Sequence, residues 1–122
     1  MKLLVDEPES RALTTYVQAE IGDAQGEMAA GWLLHAELHG AAWRHPGAIQ
    51  AEAVGQLLDT VTLVDLTRGD MIAAGTHAPL KSNDAIHLAV AIRLGADEMV
   101  TYDRELAKAA KDAGLAVCAP VP

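Results

Sequence analysis

The sequence predicts an α/β fold, a three-layer sandwich with a mainly parallel sheet. Predicted helices and short strands alternate along the chain, which is the pattern of such folds. The stretch from Ala85 to Leu94 is apolar at almost every position, so it predicts a helix buried in the core. At 122 residues the chain is long enough for a real core, and we expect a single domain over residues 1–122.

Composition limits the function classes. The net charge of −8 argues against a protein that holds nucleic acid on a broad basic surface, but not against an enzyme that meets phosphate through bound cations. The single cysteine, Cys118, excludes an internal disulfide and a cysteine-based zinc site, which fits a reducing cytoplasm. No apolar run reaches the roughly 18 residues that a membrane span needs. We therefore expect a cytoplasmic protein without membrane contact.

Helices dominate the first half of the predicted chain. Pro8 suits the first turn of a helix that continues to about Gly22. A loop follows, or a loop with a very short strand around residues 28–30. Two further helices are then predicted over residues 32–44 and 47–59.

The second half alternates strands and helices. The clearest strand covers residues 61–66, because it is compact and β-branched. Ser82 or Asn83 can cap the buried helix, since a short polar side chain accepts the free N–H groups of the first turn, and Gly95 is a usual helix stop. The other predicted elements are a short helix over 67–77, a strand over 99–102, a helix over 103–113 and a strand over 116–119.

No strand is predicted ahead of the first helix. A parallel three-layer domain would normally open with a buried strand, yet this chain begins directly inside the first loop or helix. We therefore expect the first strand to be absent and the domain to be truncated at its N-terminus.

Three acids are candidates for a metal site. Asp84 falls in the first turn of the buried helix, and Asp103 lies at the carboxyl end of a strand, the edge where α/β sheets bind ligands. Glu37 borders an apolar helix face, where a charge is rarely buried unless it is paired or bound to a cation. Three converging carboxylates favour a divalent cation, and oxygen ligands suit Mg²⁺ or Mn²⁺. Such a site can activate water for phosphodiester hydrolysis.

Simpler explanations remain open for each polar residue. Asp103 alone is expected to be an N-cap, and Asp84 alone could be a first-turn acid that serves the helix dipole. His35 and His39 share a helix face and could hold zinc, but the His-Glu-x-x-His order is not met, so solvent-side histidines are the better prediction. His87 could form a hydrogen bond near the site, although a satisfied core histidine is the simpler expectation.

Four segments together carry a family resemblance: LLVDEPES (residues 3–10), LHAELHGAAWR (34–44), KSNDAIHLA (81–89) and VTYDREL (100–106). They resemble the PIN-domain ribonucleases, specifically the VapC-type toxins of bacterial toxin–antitoxin pairs. The resemblance implies a PIN-like fold and metal-dependent cleavage of RNA. It also implies a cognate antitoxin that inserts into the same groove, and a homodimer.

The resemblance also implies roles for individual residues. Glu37, Asp84 and Asp103 would be acidic catalytic residues around Mg²⁺ or Mn²⁺, with Asp84 as a direct ligand. Thr101 would help to hold a metal-bound water. The family's first strand ends in an Asp that is a principal metal ligand, whereas Asp6 matches a later segment and is not expected to replace it.

Three hypotheses follow from this departure. In the first, Met1 is internal to a longer reading frame, and the native protein is an ordinary PIN ribonuclease. In the second, the chain is a catalytically silent module that still binds an antitoxin or dimerises. In the third, the three acids are helix caps and surface groups that point to separate places.

Overall fold

The computed structural model describes residues 2–4, 28–44, 51–101 and 103–118. The predicted helix over residues 8–22 lies outside these residues. The strands in chain order are β1 (Lys2–Leu4), β2 (Met28–Gly31), β3 (Thr62–Val64), β4 (Glu98–Val100) and β5 (Ala116–Cys118). The helices are α1 (Leu33–Arg44), α2 (Ala51–Asp59), α3 (Arg68–Ala74), α4 (Ser82–Leu94) and α5 (Arg104–Asp112).

The described strands form one sheet in the order β3-β2-β1-β4-β5. Each of the four pairings is parallel. Parallel neighbours cannot be joined by a tight turn, so strands that follow each other in the chain need longer crossover connections. The predicted parallel α/β architecture is therefore confirmed.

The prediction that a first strand is absent is wrong. Lys2–Leu4 forms β1 in the centre of the sheet, where Lys2 is in register with Met28 on one side and with Glu98 on the other. The three-residue strand has too little sequence to show a period of its own, and its stability comes from hydrogen bonds to two strands that are distant along the chain. The sequence also predicted that the chain lacks the Asp that ends the family's first strand. The residues after β1 lie outside the described ranges, so this part stays a prediction.

Two hydrophobic clusters, one on each face of the sheet, give the three layers. Helices α1 and α2 supply Leu34, Leu38 and Leu57 to the first cluster, which includes Val100 of β4. Helices α4 and α5 supply most of the second cluster, which includes Met99 of the same strand. Neighbouring strand residues point to opposite faces, so β4 serves both cores. No helix in the described ranges is both long enough and apolar enough to cross a membrane.

The predicted end of α4 is confirmed, but its predicted N-terminal cap is not. Gly95 adopts a left-handed conformation with φ 66°, as predicted for a glycine that ends a helix. The prediction of a Ser82 or Asn83 cap is wrong, because the N-cap residue is Lys81 and no side chain caps the helix. The helix begins at Ser82, and the Asn83 amide instead donates to Glu37.

An ion pair between the buried Asp70 and the more exposed Arg93 joins α3 to α4. Asp70, 2% exposed, accepts a hydrogen bond of 2.8 Å from Arg93 Nε, and Arg93 also donates to the Asp65 carbonyl. The same carboxylate accepts from the Thr67 backbone N–H, while the Thr67 hydroxyl accepts from the Asp70 N–H, which completes a capping box. One acid thus begins α3 and fixes it against the helix that carries Asp84.

Replacing Asp70 with Ala is expected to destabilise the fold by about 2 kcal/mol. The change removes a helix cap worth about 1 kcal/mol and a charged hydrogen bond worth about 1.5 kcal/mol. We discount the sum because the Arg93 side chain is 37% exposed and water can replace its partner. Chemical denaturation of the variant measures the change. A loss below about 0.5 kcal/mol would contradict this role for Asp70.

The Asp70 contribution is also expected to depend on pH. Burial raises the pKa of Asp70, but hydrogen bonds from Arg93 and Thr67 and the Arg93 charge outweigh burial and hold the pKa below its ordinary value of 3.8. The resulting stability is present above the ordinary pKa and is lost as pH falls through the folded pKa. The difference in unfolding free energy between the native chain and Asp70→Asn should therefore narrow below about pH 4. A constant difference from pH 7 to pH 3 would oppose this explanation.

Candidate active site

The carboxyl edge of the sheet collects the three predicted acids. Helices α1 and α5 follow β2 and β4, so both helices begin at this edge. Helix α4 leads into the amino end of β4, so its own first turn returns to the carboxyl edge. Glu37 in α1, Asp84 in α4 and Asp103 before α5 are therefore brought together from segments that are distant in sequence.

Glu37 is held by two side chains of α4. Its Oε1 lies 2.6 Å from His87 Nε2, and its Oε2 accepts from Asn83 Nδ2 at 3.1 Å. Burial raises the pKa of Glu37, but the hydrogen bond and charge of His87 and the hydrogen bond from Asn83 outweigh it and lower the pKa. Glu37 is therefore a carboxylate at neutral pH, and it fixes the orientation of its own oxygens against α4.

His87 is a buried residue that serves the site. Because a carboxylate only accepts hydrogen bonds, Nε2 carries the proton that is shared with Glu37. The other ring nitrogen, Nδ1, is buried and has no hydrogen-bond partner among the described residues. His87 is thus a buried histidine that forms the hydrogen bond near the site, and whether its Nδ1 is also satisfied is not decided by the described residues.

The partners of Glu37 were not identified from the sequence. Asn83 and His87 are four residues apart on a helix, so they share a face, and this spacing was the available signal. Their common target lies 46 and 50 residues earlier in the chain. Local spacing cannot predict a contact of that sequence separation.

Asp84 lies in an unfavourable electrostatic environment. Burial raises the pKa of this carboxyl, and the negative charges of Asp103 and Glu37 raise it further. His87 and Lys81 act in the opposite direction without compensating for the increase. A divalent cation at this position would remove the repulsion, so the chemistry of the donor set fits a metal ion.

Asp103 is the N-cap of α5, as the simpler explanation predicted. Its Oδ1 accepts from the Leu106 N–H at 2.9 Å, and its own N–H donates to the buried Thr101 hydroxyl at 3.1 Å. These bonds fix the carboxylate at the end of β4. Capping does not remove Asp103 from the site, because its charge still acts on Asp84.

The described acids do not form a complete cluster around a metal position. No group of three or more His, Cys, Asp or Glu side chains within the described ranges is arranged to hold an ion. Of the two neighbouring carboxylates, Asp103 raises the pKa of Asp84 more than Glu37 does. Mg²⁺ is commonly held by one or two carboxylates, with waters and substrate phosphates as its other ligands, so two acids fit this ion.

The contacts and charges around Asp84 and Glu37 argue against the hypothesis that the three acids are unrelated. That hypothesis expects Glu37, Asp84 and Asp103 to point to separate places. Instead, both other charges act on Asp84, and α4 holds Glu37 directly. The acids share one electrostatic environment, whatever structural roles they also have.

The two histidines of α1 lie on the outer side of the helix. His39 is exposed and His35 is half-buried, and their ring centroids are 4.4 Å apart. No zinc-binding group that includes them occurs in the described ranges. The observed exposure agrees with the prediction of solvent-side histidines.

Comparison with known proteins identifies the family. The model of the PIN domain family matches residues 6–112, which include Glu37, Asp84 and Asp103. This chain belongs to the PIN domain family. Two curated relatives from Mycobacterium tuberculosis are similar along nearly the whole chain. Ribonuclease VapC47 is 36% identical over 98% of this chain and 90% of its own length, and Ribonuclease VapC46 is 35% identical over 98% and 91%.

A solved structure supports the fold of this PIN domain. The crystal structure of PAE2754 from Pyrobaculum aerophilum matches with a TM-score of 0.73 and 22% sequence identity. The match covers 96% of this chain and 83% of that chain. At this level of identity the likeness shows the fold alone. The predicted PIN-like α/β architecture and the VapC-type resemblance are both confirmed.

Proposed function

We propose that this PIN domain is a metal-dependent ribonuclease of the VapC toxin type. The observation that carries the proposal is the half-buried Asp84, whose pKa is raised by burial and by two further acids at the carboxyl edge of the sheet. The curated relatives, which share about a third of its residues, are named as ribonucleases. An acidic protein can bind an RNA phosphate at these acids when a cation lies between the carboxylates and the phosphate.

In this mechanism Asp84, Asp103 and Glu37 would together hold Mg²⁺ or Mn²⁺. The ion supplies charge stabilisation at the phosphodiester and a water of lowered pKa. The Thr101 hydroxyl and the Leu106 N–H fix Asp103. His87 and Asn83 hold the Glu37 carboxylate, where it can accept a proton from a water that attacks the phosphate.

One exposed cation is placed to contact the substrate. Lys81 precedes the first turn of α4, and its charge lowers the pKa of Asp84. In this proposal the exposed Lys81 ammonium binds a phosphate oxygen of RNA. With a net charge of −8 on the chain, such a local cation matters more than the overall field.

The proposal includes the partners that the VapC type implies. A cognate antitoxin would insert into the groove that holds the acids and thereby restrain cleavage. A homodimer in the cytoplasm is the proposed state of the protein.

The second candidate function is a catalytically silent PIN module that binds an antitoxin or dimerises. It is favoured by one observation, which is that no three metal-ligating side chains are clustered within the described ranges. This candidate keeps the fold and the antitoxin groove but predicts no turnover.

A cleavage assay separates the two candidates. Single-stranded and folded RNAs are incubated with the protein in Mg²⁺, in Mn²⁺ and in EDTA, and the products are resolved by size. The ribonuclease proposal predicts discrete fragments with either metal and none in EDTA. Intact RNA under all conditions would favour the silent module. Equal cleavage in EDTA would contradict the proposed role of the metal.

A further inference from the structure

Four aromatic side chains form a row along the outer side of α1. The Trp32 and His35 rings have centroids 5.4 Å apart, and the His35 and His39 rings are 4.4 Å apart. Trp43 follows His39 by four residues, so it continues the same helix face by one turn. We call these four residues the aromatic row.

The aromatic row does not serve the core. Trp32 is 47% exposed and Trp43 is 87% exposed, whereas the core face of α1 consists of the buried Leu34, Leu38, Ala41 and Ala42. A tryptophan in the core buries a large apolar area, and a side chain that is almost fully exposed gains little of that stabilisation. Both tryptophans of the chain lie in this row. Burial therefore does not explain the position of Trp43, and about half of the Trp32 surface is also left in contact with solvent.

The charge around the row is unusual for this chain. The sequence contains 17 acids and 9 basic residues, yet the described segment 28–44 contains one carboxylate, Glu37. That carboxylate is bound by His87 and Asn83. The segment ends in the exposed Arg44, whose guanidinium returns over Gly40. Arg44 thus places one cation on the helix that carries the rings, where it can contact the phosphates that link stacked bases.

The row begins at the acidic edge. Trp32 immediately follows β2, and its N–H donates to the Val64 carbonyl at the end of β3. This end of the two strands is the edge where Asp84 and Asp103 lie. Trp32 is therefore the ring of the row that lies at the acidic edge, and Trp43 lies about three helical turns away from it.

We propose that Trp32, His35, His39 and Trp43 form a stacking surface for the bases of single-stranded RNA. The inference rests on the proposed ribonuclease function and adds a binding surface to it. Unpaired bases stack on aromatic side chains largely without regard to sequence, and arginine adds contacts to the phosphates. Stacking would supply the affinity that a chain with so few basic residues lacks.

Tryptophan emission tests the surface directly, because every tryptophan of the chain lies in it. A 12-nucleotide single-stranded RNA is titrated into the full chain in EDTA, with emission and RNA anisotropy recorded together. Binding should quench emission, whereas an abasic oligomer of the same length should bind weakly and leave emission unchanged. Trp43→Ala should weaken RNA binding about tenfold, and Trp43→Phe, which keeps a ring, should retain most of the affinity.

The result that overturns the inference is RNA binding with unchanged emission and equal affinity in Trp43→Ala. Failure of the RNA to bind the native chain would overturn it as well. Self-association through the row would be a third overturning result. Emission would then change with protein concentration alone, and the molar mass in solution would be lower for Trp43→Ala than for the native chain, because a second copy of the chain would cover the row.

The inference and the proposed function fail separately. If the native chain shows RNA-dependent quenching but no metal-dependent cleavage, the ribonuclease proposal is rejected and the stacking surface is retained. Metal-dependent cleavage that is unaffected in Trp32→Ala and Trp43→Ala would reject the surface and keep the ribonuclease. Far-ultraviolet circular dichroism confirms that each variant is folded, which we expect because Trp43 is 87% exposed.

Discussion

Asp84→Asn is expected to lower metal-dependent RNA cleavage by about 100-fold or more. Replacing residues that merely support a metal ligand commonly costs about 10- to 100-fold, and a direct ligand should reach or exceed the upper end. The asparagine keeps the shape of the side chain and removes its charge. Burial and the charges of Asp103 and Glu37 raise the pKa of Asp84, so its carboxylate is unfavourable in the fold. Removing this charge should therefore not reduce the stability of the fold.

The matched control for this variant is Asp59→Asn. Asp59 is the exposed last residue of α2, and its replacement changes the net charge by the same amount. Initial rates of cleavage are compared at equal protein and metal concentration. Asp59→Asn should cleave at the native rate. Native activity in Asp84→Asn would remove Asp84 from the catalytic site.

His87→Leu is expected to weaken Mn²⁺ binding by about 10- to 100-fold, although His87 is not proposed to touch the metal. The leucine removes the Nε2–H that holds Glu37, so the Glu37 carboxylate loses its shortest hydrogen bond. It also removes the buried Nδ1, which has no partner among the described residues, and this gain partly offsets the stability lost with the Glu37 hydrogen bond. His87 is thus a positioning residue, and calorimetric titration measures its effect.

Two further readouts distinguish positioning from a general structural defect. Without His87 the pKa of Glu37 should rise, so Mn²⁺ binding should be lost at a higher pH in His87→Leu than in the native chain. His87→Gln, whose amide can donate to Glu37, should recover much of the affinity. If both variants bind Mn²⁺ as the native chain does, Glu37 does not depend on His87.

The elements that were predicted correctly are those with local signals. Helix α4 has an apolar sequence and a glycine stop, and Asp103 has the spacing of an N-cap. These features depend on residues within one or two turns of each other. The parallel sheet followed from the alternation of strands and helices, which is also visible in sequence order.

The features that were missed depend on distant partners. Strand β1 has three residues, and only its pairing with β2 and β4 makes it a strand. Asn83 was predicted as a possible cap, but it bonds to Glu37 across the carboxyl edge instead. In each case a contact between segments overrides what the local sequence favours.

The aromatic row shows a different limitation. The spacing of Trp32, His35, His39 and Trp43 is visible in the sequence, but the two histidines were considered there as zinc ligands or as solvent-side residues, not as part of a binding surface. The solvent exposure of these side chains distinguishes a core helix face from a binding surface. That exposure depends on which face of α1 packs against the sheet. That choice requires the tertiary structure.

Calorimetric titration of Mn²⁺ into the native chain and into Asp84→Asn tests the central claim most directly, because it needs no knowledge of the RNA target. We expect saturable binding of Mn²⁺ by the native chain and binding at least about 100-fold weaker in the variant. Equal binding by the two proteins, or no binding by the native chain, would contradict a metal site built on Asp84 and Asp103.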